Sequence, residues 1–206
     1  MGIAFPPQKG KTYNRIISKL PKNFTSRLQE KPTIEQTVSE ILDYEYHKKP
    51  LVSAIISDKT DTKMQKKRIE FIKFLKTKND FPLKVYGRGG DFVLNKFDVL
   101  KNSTHHIAIE NSSHLGNWTE KIADSLLTLN LSFYQGAPDI LSYFSEDSVK
   151  LIDLEDFENS NEVIAAEFHD SKPNYQALRF DRNELIEKFS FESTVSRFIS
   201  HIDGPK

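Results

Sequence analysis

Five short apolar runs, at residues 51–57, 83–86, 106–109, 131–134 and 149–152, recur along this chain with longer amphipathic segments between them. Each run is rich in Val, Ile, Leu or Phe and short enough for a buried strand. Between them the apolar spacing turns helical. Met64, Ile69, Phe71, Ile72 and Leu75 follow a cap at Asp61 or Thr62, a short helix falls near residues 95–100, and Ile122, Leu126 and Leu129 follow a cap at Thr119. Gly136 and Pro138 shape a turn ahead of a helix capped by Asp139, and the chain from Asn161 onward reads as helical. Strands and helices that alternate at these lengths suit right-handed crossovers, so the chain is expected to form a parallel α/β sheet flanked by helices. Upstream, a helix opening at Pro32 or Thr33 carries Ile34, Val38, Ile41 and Leu42 on one face and ends at Pro50. The first thirty or so residues, broken by Pro6, Pro7 and Pro21, read as an irregular arm.

Composition narrows the partners. The 206 residues suffice for one large domain, or one domain with a tail. Lys and Arg total 29 and so do Asp and Glu, which leaves no global field to draw the chain to nucleic acid or to an anionic membrane. Any anion affinity has to be local. Cysteine is absent, which removes disulfides, thiolate metal sites and a thiol nucleophile. The start MGIAFPPQKGK lacks a signal-peptide core and no run is long enough for a transmembrane helix, so a cytoplasmic chain, or one peripheral to an inner membrane, is expected.

One segment concentrates chemistry. Residues 110–121 read ENSSHLGNWTEK and join a strand to a helix, the place where open α/β sheets hold ligands. Thr119 as N-cap would turn unpaired N–H groups and the positive helix end toward a bound phosphate, and Lys121 adds a full charge. Glu110 ends the strand. It either faces a ligand's cationic centre or hydroxyls, or is a strand-end carboxylate paired with a nearby lysine. Asn111 and Ser112 are either donors to a ligand or the local bonds of a turn. Arg68 can hold two phosphate oxygens through its fork, although Lys66, Lys67 and Arg68 together also make an ordinary solvated helix face. The turn VYGRGGD brings Gly87 to a strand end, but Phe92 breaks the G-x-G-x-x-G pattern. No Asp-x-Asp occurs, and His105, His106 and His114 lack ligand spacing, so no metal or other cofactor is expected. The phenylalanines at 71, 74, 97, 133, 144 and 157 read as core.

In order, ENS at 110, TEK at 119, the Y-x-G-x-P turn at Tyr134 and the run LIDLEDF at 151 resemble the C-terminal, nucleotide-sugar-binding half of glycosyltransferase family ten, the fucosyltransferases that use GDP-fucose. LVSAIISDK, Lys67–Arg68, VYGRGG and NKFDVLK fit the same order, and the likeness spans roughly residues 49–202. The resemblance implies a Rossmann-like parallel sheet corresponding to the C-terminal donor domain of a GT-B glycosyltransferase, occupying residues 49–206. Residues 1–48 would then be a remnant of, or replacement for, the acceptor domain. It implies inverting transfer of fucose from GDP-fucose to a glycan acceptor. Arg68 and Lys121 would hold the diphosphate, Glu120 the ribose hydroxyls, and Glu110 the sugar. Ser57, Gly87, Asn111, Ser112, Trp118 and Thr119 complete the expected donor site. Asn117 stands where the relatives usually have a tyrosine, with Trp118 one step later, and Gln135 replaces an aromatic. No match to the relatives' acceptor domain precedes residue 49. The catalytic base is therefore expected from a second chain or not at all, and in the latter case the chain is a nucleotide-sugar-binding module without transfer of its own.

Overall fold

The computed structural model describes residues 38–91, 93, 95–170 and 172–189. The order of elements is α1 (Val38–Asp43), β1 (Lys49–Ile55), α2 (Lys63–Lys78), β2 (Leu83–Tyr86), α3 (Lys96–Leu100), β3 (Ser103–Ile109), α4 (Glu120–Leu127) and β4 (Leu131–Gln135). A 3-10 turn (Ile140–Ser142), β5 (Val149–Leu151), α5 (Phe157–Asp170) and α6 (Tyr175–Phe189) follow. All five strands pair in parallel in the order β2-β1-β3-β4-β5. Among the described residues no helix is long and apolar enough to cross a membrane.

Both sheet faces are covered, so the strands carry apolar residues on each side rather than alternating with solvent. On one face Phe71, Ile72 and Leu75 of α2 and Ile164 of α5 pack with Val52, Ala54, Ile107 and Phe133 of the strands. On the other, Ile122 and Leu126 of α4 and Leu178 and Leu185 of α6 pack with Ala108, Tyr134 and Val149. Phe71, Phe97, Phe133 and Phe144 are buried, as their sequence pattern indicates, while Phe74 and Phe157 are partly buried against the core. His105 stacks on Phe133 with ring centroids 5.7 Å apart and an interplanar angle of 9°, and His106 shares a hydrogen bond of 2.9 Å with Ser53 Oγ. Both histidines are core residues.

Several boundaries differ from the sequence expectation. β1 starts at Lys49, so Pro50 lies inside a central strand instead of ending a helix. The register shifts between Lys49 and Val52, and the Leu51 N–H reaches the Thr104 hydroxyl at 3.3 Å instead of a ladder carbonyl. A proline without an N–H is tolerated at such an irregularity. Ser57 therefore sits past the strand, in the loop at its C-terminal end. α1 ends at Asp43, and the expected start of its helix lies outside the described residues, as does the N-terminal arm. α5 begins at Phe157 rather than Asn161, because the Asp156 carboxylate accepts the Asn159 N–H at 3.1 Å. A break before Pro173 separates it from α6, whose first turn is held by Asn174 Oδ1. Asp139 caps no α-helix; its carboxylate accepts the Gly116 N–H at 2.8 and 3.1 Å and ties the loop after β3 to the turn after β4.

This strand order contains one reversal. The chain leaves β1 outward to β2, then crosses back over β1 to β3, and the crevice above the carboxyl ends of β1 and β3 is where such sheets bind ligands.

Candidate functional site

A cavity of about 470 Å³ opens at that crevice. The ends of β1 and β3 floor it through Ile55, Ser57, Ile109 and Asn111, and Gly87 borders it from the loop after β2. Gly87 has φ +90, and a Cβ there would lie 2.5 Å from the Ile56 carbonyl oxygen, so the close approach of the two loops needs glycine.

Arg68 reaches the cavity from α2. A capping box fixes that helix: Thr62 Oγ1 accepts the Gln65 N–H at 3.2 Å, and Gln65 Oε1 accepts the Thr62 N–H at 3.2 Å. Three residues on, the Arg68 guanidinium donates to Ser57 Oγ at 3.1 Å and to Asn111 Oδ1 at 3.1 Å, spanning the ends of β1 and β3. The residue is only 5% exposed, and among the described residues its Nε has no partner and every acceptor it meets is neutral. Burial lowers its pKa, yet a guanidinium stays charged at any ordinary pH. A cation withdrawn from water without an opposing carboxylate is costly, and an anion in the adjoining cavity would offset that cost.

Lys121 arrives from the first turn of α4. Its ammonium donates to Glu110 Oε2 at 3.0 Å, Thr119 Oγ1 at 3.1 Å and Glu120 Oε1 at 3.4 Å. Glu110 is 3% exposed and also accepts the Thr119 N–H and hydroxyl at 2.9 Å each. Gly136 makes room for this: a Cβ would stand 2.2 Å from Tyr134 Oη and 2.5 Å from Glu110 Cγ. Burial alone would raise the pKa of the Glu120 carboxylate, but the charges of Lys121 and Lys96 and a hydrogen bond from Thr119 hold it below the usual range. Asp124, one turn later, is shifted up by burial despite its ion pair with Lys96 at 3.1 Å.

Of the residues expected to bind a donor, Ser57, Arg68, Gly87, Asn111, Glu120 and Lys121 line this one cavity. Glu110, Ser112, Trp118 and Thr119 do not. Glu110 is turned to the helix cap and to Lys121, the ion-paired alternative among its sequence readings. Ser112 accepts a bond from Asn117 Nδ2 at 3.0 Å within the loop. Trp118, immediately before the N-cap, is 2% exposed and packs edge-on against Tyr143, Phe144 and Phe189, because the residue before a cap is well placed to pin the helix to the core. Lys59, Arg88, Lys96 and Asp124, which sequence reasoning did not single out, also line the cavity, as does His106, weighed there only as a metal ligand. Arg88 had a signal in its glycine-rich turn. The others come together only through packing. Five cationic side chains (Lys59, Arg68, Arg88, Lys96, Lys121) thus face two carboxylates (Glu120, Asp124), a positive cavity in a chain of zero formal net charge. Among the described residues no three His, Asp or Glu are grouped to hold a metal ion.

No family model matches the sequence, and no curated protein matches it. Solved structures do match the fold. A crystal structure of an α1,3-fucosyltransferase with GDP superposes with a TM-score of 0.54 and 19% identity, over 77% of this chain and 49% of that one. A crystal structure of an α1,3-fucosyltransferase with GDP-fucose gives 0.52 and 18%, over 77% and 50%. The fold is one that this chain shares with those fucosyltransferase structures. Its five parallel strands with helices on both faces correspond to the Rossmann-like architecture of the GT-B class. The chain spans about half the length of the fucosyltransferase structures it matches.

Proposed function

We propose that this chain binds a nucleoside diphosphate sugar, with GDP-fucose as the donor, and serves as the donor half of an inverting glycosyltransferase that passes fucose to a glycan hydroxyl. The observation that carries the reading is Arg68: a buried guanidinium with neutral partners only, opening onto the same positive cavity as Lys121. In such a transfer the anomeric C–O bond to the diphosphate breaks as the acceptor oxygen attacks from the opposite face. Negative charge grows on the departing diphosphate, and fixed cations already in place lower that barrier. Arg68 takes two oxygens of the diphosphate. Lys121, whose three N–H bonds are already directed to Glu110, Thr119 and Glu120, acts chiefly through its charge. Glu120, ionised and half-exposed, accepts from the ribose hydroxyls. The acceptor hydroxyl's proton passes to a carboxylate outside this cavity, and no metal is needed to neutralise the leaving group.

A second reading has its own support. Because the chain spans about half of the matched structures, it can be a nucleotide-sugar-binding module that keeps the donor pocket but has no transfer of its own. The two readings separate on incubation with GDP-fucose and a panel of β-galactoside and N-acetylglucosamine acceptors. Fucosylated product from the purified chain supports transfer, and GDP binding without product supports the module. Absence of both GDP binding and product would reject the reading altogether.

A further inference from the structure

The five cations of the cavity are not equivalent. Lys96 is paired with Asp124 at 3.1 Å, Lys121 with Glu110 and Glu120 at 3.0 and 3.4 Å, and Arg68 is bonded to Ser57 and Asn111. Lys59 and Arg88 are exposed, and among the described residues neither makes an ion pair or a side-chain hydrogen bond, not even with the neighbouring Asp58 or Asp91. They stand on adjacent loops, Lys59 two residues past Ser57 after β1 and Arg88 in the turn after β2. Backbone bonds close that turn: the Gly87 N–H reaches Asp91 O at 2.9 Å, Gly90 N–H reaches Gly87 O at 3.0 Å, and Gly89 N–H reaches Ile56 O at 3.3 Å. A Cβ on Gly90 would lie 2.3 Å from the Val85 carbonyl oxygen, so the turn lies flat on the strand end. Of residues 87–90 only Arg88 has a side chain, and it borders the cavity.

Position separates the two sets. α4 lies over β3 and β4, Arg68 spans the ends of β1 and β3, and Lys59 and Arg88 follow β1 and β2 in a sheet ordered β2-β1-β3-β4. A donor with its ribose at Glu120 and its diphosphate at Lys121 and Arg68 is laid along the strand ends from α4 toward β2. Its sugar then emerges beside Lys59 and Arg88. Fucose has no anionic group to offer them. We infer that Lys59 and Arg88 form a second anion subsite at the sugar end of the cavity, and that the acceptor is a glycan with an oxyanion, a carboxylate or a sulfate ester, near the hydroxyl that receives the sugar. This rests on the reading of the cavity as a nucleoside diphosphate sugar site. The Arg88 fork takes two oxygens of such a group, and Lys59 adds a second charge. Both cations are solvated before the acceptor arrives, so a neutral glycan leaves them in water at little cost while an acidic one gains two ion pairs. The pair therefore acts on selection among acceptors more than on the donor.

NMR titration of the whole chain, first saturated with GDP, tests this with lactose, a sulfate ester of lactose, and the analogue in which galacturonate replaces the galactose. Wild type is expected to bind the two acidic sugars about ten-fold more tightly than lactose, with the preference shrinking as salt is added. The double variant Lys59→Ala, Arg88→Ala should bring all three sugars to within about two-fold of one another, and Arg88→Lys should keep part of the preference. Calorimetry with GDP alone should show a loss of at most about three-fold in the double variant, against about ten-fold or more in Arg68→Ala. Retention of the acidic sugar but not the sulfate ester, or the reverse, assigns the oxyanion to one of its two sources and supports the subsite. Equal behaviour of the three sugars in wild type, including no binding of any, overturns the inference, as does a preference that survives the double variant. A GDP loss in the double variant as large as that in Arg68→Ala also overturns it, since the pair would then belong to the diphosphate. Each of these leaves GDP binding standing; a wild type that binds no GDP overturns the donor reading as well.

Discussion

The Lys121 ammonium lies 3.0 Å from the Glu110 carboxylate, and of this pair only the lysine borders the cavity. The acid is 2% exposed in its side chain and the base 25%, so the pair couples the end of β3 to the start of α4 from beneath the ligand site. Glu110 thereby fixes where the cation stands.

Removing that acid strips Thr119 of two hydrogen bonds and leaves the ammonium with Thr119 and Glu120. Glu110→Ala is expected to lower stability by about 2–3 kcal/mol, since Lys121 is partly solvated and can recover some hydration. Glu110→Gln, which can still accept from Thr119, should cost about half as much. Urea denaturation of both variants measures this, and equal stability for Ala and wild type would contradict it.

Gly136→Ala would drive a methyl group into Tyr134 Oη and Glu110 Cγ. Overpacking of this kind costs about 1–3 kcal/mol, and the displacement of Glu110 should carry Lys121 with it and weaken GDP binding. A variant with unchanged melting temperature and unchanged GDP affinity would show that the β4 turn does not brace the site.

Two buried histidines predict an acid-sensitive fold. Burial, helped by the charge of Lys48 and opposed by Glu167, lowers the His105 pKa to about 4. Burial, helped by Lys96 and Lys48, lowers that of His106 to about 3. An unfolded histidine titrates near 6.5, so below that pH the unfolded chain takes up protons that the folded rings refuse. The stabilisation is complete above about pH 6.5 and drains away as the pH falls toward 4 and 3. Between pH 7 and 5 the loss is on the order of 2 kcal/mol for each ring. Denaturant midpoints across that range check it, with His106→Asn expected to remove about half of the slope; a flat profile would contradict the burial argument.

Binding of GDP is expected to survive chelation. Arg68, Lys121 and their neighbours already place five cationic side chains around the cavity, enough to meet the diphosphate without a divalent ion. Titrations with EDTA and with added magnesium should give the same affinity within about two-fold, and a ten-fold loss in EDTA would show that a metal is part of the site.

Much of the fold was legible because its strands are short apolar runs between helices of clear period, and the Thr62 and Thr119 caps carry their own side-chain signals. The edges were less so. Pro50 looked like a helix stop, and only the register shift beside Thr104 lets it enter a central strand. The site was legible where a residue sits on a loop at a strand end, as Ser57, Gly87 and Asn111 do. Arg68 was ambiguous, since a run of basic residues on a helix is usually solvated; burial against Ser57 and Asn111 decides its placement. Trp118 and Glu110 stand outside the cavity lining for a common reason: polar or aromatic residues beside a helix start serve the cap and the core as readily as a ligand. Lys96 and Asp124, 28 residues apart, carried no local signal, because the meeting of α3 and α4 is a property of the sheet and not of either segment.

The most direct measurement is a crystal structure of this chain with GDP. The diphosphate is expected at the carboxyl ends of β1 and β3, with its oxygens about 2.7–3.0 Å from the Arg68 guanidinium and the Ser57 or Asn111 contact exchanged for phosphate. Density for GDP elsewhere, with Arg68 still bound only to Ser57 and Asn111, would contradict the central claim that this buried guanidinium is held in readiness for a pyrophosphate.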